Sequence, residues 1–296
     1  MKIPDIFTKE YFLGDKRLNK IFSLLDEHYQ GESDPWGMDL DKMKSYLKYL
    51  YPLYDKYFQV RVFGTENIDP DQNYMFTSNH TGQIAFDGML ISMATMLELE
   101  PPRIVRGMIE RWMAGLPFVG SFSAHAGSIL GDRENCQYLL EKKESILVFP
   151  EGVNGISKNT EDFYEMGPFT SGFFRLALSN KTNILPVAVV GAEEAYPFVY
   201  QAKSLAKVLN LPALPLSAGF LLGPLGALPL PSPIDIYFGA PYDVPSDLSD
   251  NSPDKEVDMH VKRVKEQING MLSAGLKTRR PFLEKFGLKD KRNLNQ

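Results

Sequence analysis

The sequence is poor in cysteine, and Cys136 is the only one among 296 residues. A single cysteine cannot form an intramolecular disulfide, and this usage is typical of proteins in a reducing compartment. Acidic residues outnumber basic ones, which gives a formal net charge of −5. Because nucleic-acid binding needs clustered Lys and Arg for phosphate contacts, we expect no nucleic-acid partner. The cysteine usage leads us to expect a cytoplasmic protein.

Uninterrupted apolar runs are scarce as well. The first twenty residues contain none, so we expect no signal peptide. One long uncharged stretch, residues 208–234, has the length of a membrane span, but its six prolines would break a helix repeatedly. Two interpretations stay open for this stretch: a monotopic contact with a bilayer, or a set of buried loops and strands that cover the core.

What the sequence does contain is enough apolar material for a sizeable core, at 44% hydrophobic and 23% charged residues. The spacing of apolar residues predicts both strands and helices. The predicted strands are at residues 58–64, 73–79, 145–150, 184–191 and 234–239, and the predicted helices are at 38–57 with a kink at Pro52, 88–99, 173–180 and about 260–272. Strands that alternate with helices predict an α/β fold with a mostly parallel central sheet flanked by helices.

The predicted elements divide the chain into two parts. Residues 1–57 are expected to form an N-terminal helical extension, and residues 58–296 the main domain. Polar clusters that follow apolar strands fall within about residues 75–191, and sites in α/β sheets collect at the carboxyl ends of the strands. The main domain ends with the last helix and a basic tail over residues 259–296.

The most informative cluster, SNHTGQIAFDG, begins at Ser78, directly after a short apolar run. His80 offers a general base, and Asp87 a carboxylate that can fix the tautomer and stabilise the imidazolium. In a continuous helix, seven residues would separate the two side chains by about 10 Å along the axis. The two can form a hydrogen-bonded pair only if His80 lies in a loop and the helix begins near Asp87, which Gly82 and the position at a strand end permit.

Three further clusters follow the first: GSILGDR at residues 127–133, FPEG at 149–152 and ILPVAVVG at 184–191. In this order, the four clusters resemble the sequence blocks of the phospholipid/glycerol acyltransferase superfamily, and most of all its diacylglycerol-acyltransferase-like branch. The resemblance covers roughly residues 58–240. The family pattern places the Asp five residues after the His, and this sequence has two more. The third block also departs after Gly152, because Val153 and Asn154 stand where Thr and Arg are usual.

The resemblance implies the glycerolipid-acyltransferase fold and an O-acyltransferase. Such an enzyme moves a fatty acyl group from acyl-CoA or acyl-carrier protein to the hydroxyl of a glycerolipid or lysophospholipid. His80 would be the general base, oriented by Asp87, and no covalent acyl-enzyme would form. Arg133 would bind an anionic headgroup. Glu151 and Gly152 would line the acceptor pocket, with backbone N–H groups there as candidate oxyanion donors.

The resemblance implies no cofactor, since the acyl thioester is a co-substrate. Lys158, four residues after Asn154, is the candidate to replace the missing Arg in binding the substrate. Asp132, next to Arg133, is expected to be structural. We expect no zinc site, because no second His or Cys has suitable spacing. A Gly-x-Ser-x-Gly elbow and a P-loop are also absent from the sequence.

The chain ends in a basic stretch, residues 277–296, with seven basic and two acidic residues. This stretch can bind anionic headgroups or stay solvated. Together with residues 208–234 it favours an enzyme that associates peripherally with the inner face of a membrane and meets a lipid acceptor there. Two alternatives remain open: a non-catalytic lipid-binding homologue, and a thioester or ester hydrolase that uses water as the acceptor.

Overall fold

The computed structural model describes residues 16–29, 34–81, 86–152, 155, 158–196, 199–202, 215–217 and 228–280. Most of the apolar stretch 208–234 and most of the basic tail lie outside the described residues, as do Val153 and Asn154. The predictions made for those two segments stay predictions.

The helices and strands of the described residues follow one another in an α/β pattern. The helices are α1 (Lys16–Tyr29), α2 (Leu40–Pro52), α3 (Phe86–Leu97), α4 (Arg111–Ala114), α5 (Val119–His125), α6 (Arg133–Glu141), α7 (Gly172–Asn180) and α8 (Asp254–Thr278). The strands are β1 (Arg61–Phe63), β2 (Met75–Ser78), β3 (Val105–Ile109), β4 (Ile129–Leu130), β5 (Ser145–Val148), β6 (Ile184–Val190), β7 (Val199–Gln201), β8 (Pro215–Ser217) and β9 (Asp235–Phe238).

Strand β2 occupies the centre of a seven-stranded sheet with the order β1-β9-β6-β2-β5-β3-β4. Strands β5 and β6 pair with β2 in parallel on either side. In this sheet β9 pairs with β6 in the antiparallel direction, and β1 pairs with β9 in parallel, so β1 and β9 run opposite to the other five strands. Strands β7 and β8 form a separate antiparallel pair. The predicted mostly parallel α/β fold is therefore confirmed, and the carboxyl ends of β2, β5 and β6 meet at one edge.

Helices cover both faces of the sheet. All seven residues of β6 are buried, as the continuous apolar run of a doubly covered strand requires. Successive residues of the strand point to opposite faces. Ile184 packs in one core with α6, α7 and α8, whereas Leu185 packs in the other with α1, α2 and α3. The predicted N-terminal extension thus belongs to one of the two helical layers, and its boundary at residue 57 stays a prediction.

Several elements differ from the sequence patterns. The predicted kink at Pro52 is a change of helix type, because α2 ends there and a π-helical turn, Leu53–Tyr57, follows. The patterns missed the helices α1, α4, α5 and α6 and the strands β3, β4, β7 and β8. Strand β3 was not predicted because Arg106 interrupts its apolar run. Arg106 is buried and forms ion pairs with Asp34 and Glu144. Helix α8 extends further than predicted on both sides.

Candidate active site

His80 lies just beyond the end of β2. The side chain of Asn79 continues the pairing of β2 with β6 there, because Asn79 Oδ1 accepts the Val189 N–H at 2.9 Å and Nδ2 donates to the Val189 carbonyl at 3.3 Å. Asn79 is buried. Both polar groups of Val189 therefore stay paired while the backbone turns away at His80.

Asp87 lies in the first turn of α3, and His80 is in the loop before it. His80 Nδ1 is 2.8 Å from Asp87 Oδ2. The same carboxylate oxygen accepts the Thr81 N–H at 2.7 Å, and Oδ1 accepts the Gly88 N–H at 2.8 Å. These donors and the positive end of the helix dipole stabilise a carboxylate that is fully buried. The expected contact between His80 and Asp87 is present, with the loop and helix start that its spacing requires.

This contact decides which nitrogen of His80 can accept a proton. Because the Asp87 carboxylate accepts, Nδ1 carries the proton of the neutral ring and Nε2 keeps its lone pair. The ring stacks on Phe149 with 4.1 Å between the centroids. Among the residues that the structure describes, none forms a hydrogen bond with Nε2, and 9% of the side chain is exposed. Within the described part of the chain, the imidazole therefore presents one unpaired acceptor nitrogen at the carboxyl edge of the sheet.

Glu151 and Gly152 follow β5 and reach the same edge. Glu151 is buried; its Oε1 accepts the His80 N–H at 3.0 Å and its Oε2 accepts the Gly167 N–H at 2.7 Å. Gly152 has a φ of +54°, which favours glycine, and its N–H donates to the Phe149 carbonyl at 2.9 Å. That N–H is therefore engaged and is not a free oxyanion donor. The carboxylate of Glu151 supports the His80 backbone, and its predicted role in lining the acceptor pocket stays a prediction.

Lys158 lies beneath the same loop in a buried cluster of charges. Its Nζ is 3.4 Å from Glu151 Oε2 and 3.3 Å from Glu193 Oε1, and it donates to the His80 carbonyl at 3.3 Å. Burial opposes the ammonium, but the two carboxylates outweigh burial and raise the pKa of Lys158. Burial raises the pKa of Glu193 to about 7, against the attraction of Lys158. The predicted substrate-binding role of Lys158 stays a prediction. In this structure its ammonium forms ion pairs with Glu151 and Glu193.

Arg133 lies at the start of α6, apart from this cluster. Its Nη2 is 2.6 Å from Asp250 Oδ2, and 58% of its side chain is exposed. Asp132 caps α6 by accepting the Asn135 N–H at 3.0 Å, which confirms its structural role. The structure thus brings four of the predicted site residues into direct contact: His80, Asp87, Glu151 and Lys158. Within the described chain, Arg133 forms an ion pair with Asp250. Its predicted binding of a headgroup stays a prediction.

Sequence reasoning missed three residues of this site: Asn79, Phe149 and Glu193. A signal for Glu193 was available, because it follows β6 as Glu151 follows β5. These two strands flank β2 in parallel, so their carboxyl ends lie at the same edge of the sheet. Among the described residues, no group of three or more His, Cys, Asp and Glu could hold a metal ion. The described helices also include none with the length and apolar character needed to cross a bilayer.

The site falls within a stretch that matches known proteins. Residues 59–190 match the family model described as acyltransferase. An uncharacterized protein of Mycobacterium tuberculosis is 35% identical over 211 residues, which cover 70% of this chain and 59% of that protein. The human 1-acyl-sn-glycerol-3-phosphate acyltransferase alpha is 27% identical over 178 residues, which cover 54% of this chain and 56% of that protein. The chain therefore spans less than two thirds of these relatives.

One solved structure resembles the chain over most of its length. The 1-acyl-sn-glycerophosphate acyltransferase PlsC of Thermotoga maritima superposes with a TM-score of 0.49 at 16% identity, covering 86% of this chain and 95% of that chain.

Proposed function

The chain belongs to the phospholipid/glycerol acyltransferase superfamily, and on this premise we propose that it transfers a fatty acyl group from an acyl thioester to a glycerolipid hydroxyl, with His80 as general base. The observation that carries the proposal is the contact of His80 Nδ1 with the buried Asp87 carboxylate, which leaves Nε2 as an acceptor. A base needs this combination of a fixed tautomer and a free lone pair.

The reaction follows from that arrangement. His80 Nε2 takes the proton of the acceptor hydroxyl as its oxygen bonds to the thioester carbonyl carbon. Asp87 stabilises the imidazolium that forms. The carbon–sulfur bond then breaks, and His80 returns its proton to the departing thiolate. The chain's residues act by orienting the base and holding the proton, and no acyl-enzyme is needed.

The substrates are proposed from the relatives and from charge. Because relatives are named as 1-acyl-sn-glycerol-3-phosphate acyltransferases, an anionic monoacyl glycerolipid is the first acceptor to test. Arg133 is the candidate for binding its phosphate, since a guanidinium matches phosphate geometry. The donor is acyl-CoA or acyl-carrier protein. We further propose that the enzyme works at the inner face of a membrane, where residues 208–234 and the basic tail would meet the lipid.

Acyl transfer by the purified protein, measured with and without acceptor, tests this function. Labelled acyl-CoA and acyl-carrier protein are each offered with a monoacyl glycerol phosphate or with an uncharged monoacylglycerol. Acylated acceptor supports the proposal. Thiol release that does not depend on acceptor would instead identify a hydrolase, and lipid binding without turnover would identify a non-catalytic homologue.

A further inference from the structure

A buried cluster of charges lies behind His80, and the acyl-transfer chemistry does not use it. Glu151, Lys158 and Glu193 are 2%, 8% and 1% exposed. Removing three charges from water is costly unless they are closely paired, so the cluster demands a physical reason for its place beside the base.

The cluster holds both main-chain polar groups of His80. The N–H donates to Glu151 Oε1 at 3.0 Å, and the carbonyl accepts from Lys158 Nζ at 3.3 Å. Lys158 is held in turn by Glu193 Oε1 at 3.3 Å. The residue proposed as base is therefore fixed at its ring by Asp87 and at its backbone by charged side chains.

Glu193 is itself held from a third direction. Its second oxygen, Oε2, accepts the N–H of Tyr164, a residue with a φ of +63°. A non-glycine residue rarely adopts this conformation, and it persists only where the surrounding structure enforces it. The Tyr164 hydroxyl also accepts the Gly191 N–H at 2.9 Å, which ties this segment to the end of β6. Glu193 is thus held in place, and it positions the Lys158 ammonium that donates to the His80 carbonyl.

We propose that Lys158 and Glu193 are positioning residues for His80, acting through its main chain and touching neither substrate. This inference rests on the proposed role of His80 as general base. A misplacement of about 1 Å can cost a catalytic group roughly 100-fold in rate, so small shifts of this loop have large effects. The same contacts give Lys158 a role other than replacing the Arg missing at Asn154.

Lys158→Met and Glu193→Gln test the proposal, with Glu194→Gln as the matched control. Glu194 is adjacent, equally buried, and paired with Arg279 and the Tyr164 hydroxyl instead of Lys158. Two readouts are needed: kcat and KM for both substrates, and the ring resonance of His80 in isotope-labelled protein without substrate. The chain has only four histidines, so the signals can be assigned by substitution.

We expect Lys158→Met to lower kcat roughly 10- to 100-fold with unchanged KM values, and to move the His80 resonance alone. Glu193→Gln should have the same effects, because its one amide oxygen cannot accept from both Lys158 and the Tyr164 N–H. The control should change neither readout. Unchanged kcat and His80 resonance in Lys158→Met would overturn the proposal, as would equal changes in the control. If Lys158→Met does not fold, the same criteria apply to Glu193→Gln. The His80 resonance is measured without turnover. A failure of the positioning proposal can therefore be distinguished from a failure of the proposed acyl-transfer function.

Discussion

His80 Nδ1 and Asp87 Oδ2 lie 2.8 Å apart although seven positions separate them in the sequence. The distance is possible because His80 and Thr81 lie outside a helix, whereas Asp87 lies in the first turn of α3. The two extra residues relative to the family spacing are thus compatible with the contact.

Asp87→Asn should keep the fold and lose most of the activity. An Asn amide can donate to Nδ1, which would hold the proton on Nε2 and remove the acceptor lone pair. We expect kcat to fall about 10²–10⁴-fold. Asp132→Asn is the control, because Asn also caps α6. Steady-state kinetics of both variants test this prediction. A kcat of Asp87→Asn equal to that of wild type would show that Asp87 does not orient the base.

Gly155→Ala should displace His80 by a steric clash. A Cβ at position 155 would lie 2.4 Å from His80 Cβ, a distance that requires one of them to move. We expect kcat to fall by about tenfold or more. Gly270→Ala is the control, since a Cβ there meets nothing within 4 Å. Kinetics and thermal unfolding of the two variants separate misplacement of the base from simple destabilisation. Wild-type kcat in Gly155→Ala would contradict the packing described here.

The centre of this fold could be predicted from the sequence, because β5 and β6 are apolar runs that end in Gly- and Pro-containing turns. The pairing of His80 with Asp87 could be predicted from the family resemblance together with Gly82 and the position of His80 at a strand end, despite the expanded spacing. The supporting contacts could not be predicted in the same way. Lys158 reaches Glu193 across 35 positions, and its partner is decided by which strand lies next to which. Strand β3 was hidden because the ion pairs of Arg106 make a charged residue acceptable in a buried strand.

Glu193 should make stability depend on pH. Its pKa is raised to about 7 from an ordinary value of 4.5, so the folded protein binds a proton here more tightly than the unfolded chain does. The stabilisation that comes from this tighter proton binding is fully present below the pKa of Glu193 in the unfolded chain, and it is lost as the pH rises through about 7. Urea unfolding at several pH values should therefore show wild type losing stability relative to Glu193→Gln between about pH 4.5 and 7. A constant difference would contradict the raised pKa.

Arg133 and Asp250 offer a paired test of headgroup binding. Arg133→Ala should raise KM for a phosphate-bearing acceptor more than for the donor, whereas Asp250→Asn should lower the acceptor KM by releasing the guanidinium from its exposed ion pair. An uncharged monoacylglycerol should respond to neither change. Equal effects of Arg133→Ala on both substrates would refute its assignment to the headgroup.

The central claim is that His80 removes the proton of the acceptor hydroxyl, and the turnover of purified His80→Ala tests it most directly. The measurement compares ester formation from acyl thioester and acceptor in His80→Ala and wild type, after circular dichroism and thermal unfolding have shown that both are folded. We predict a loss of about 10²–10⁴-fold in kcat, because the general base is missing. A folded His80→Ala variant with near-wild-type kcat would contradict the mechanism proposed here.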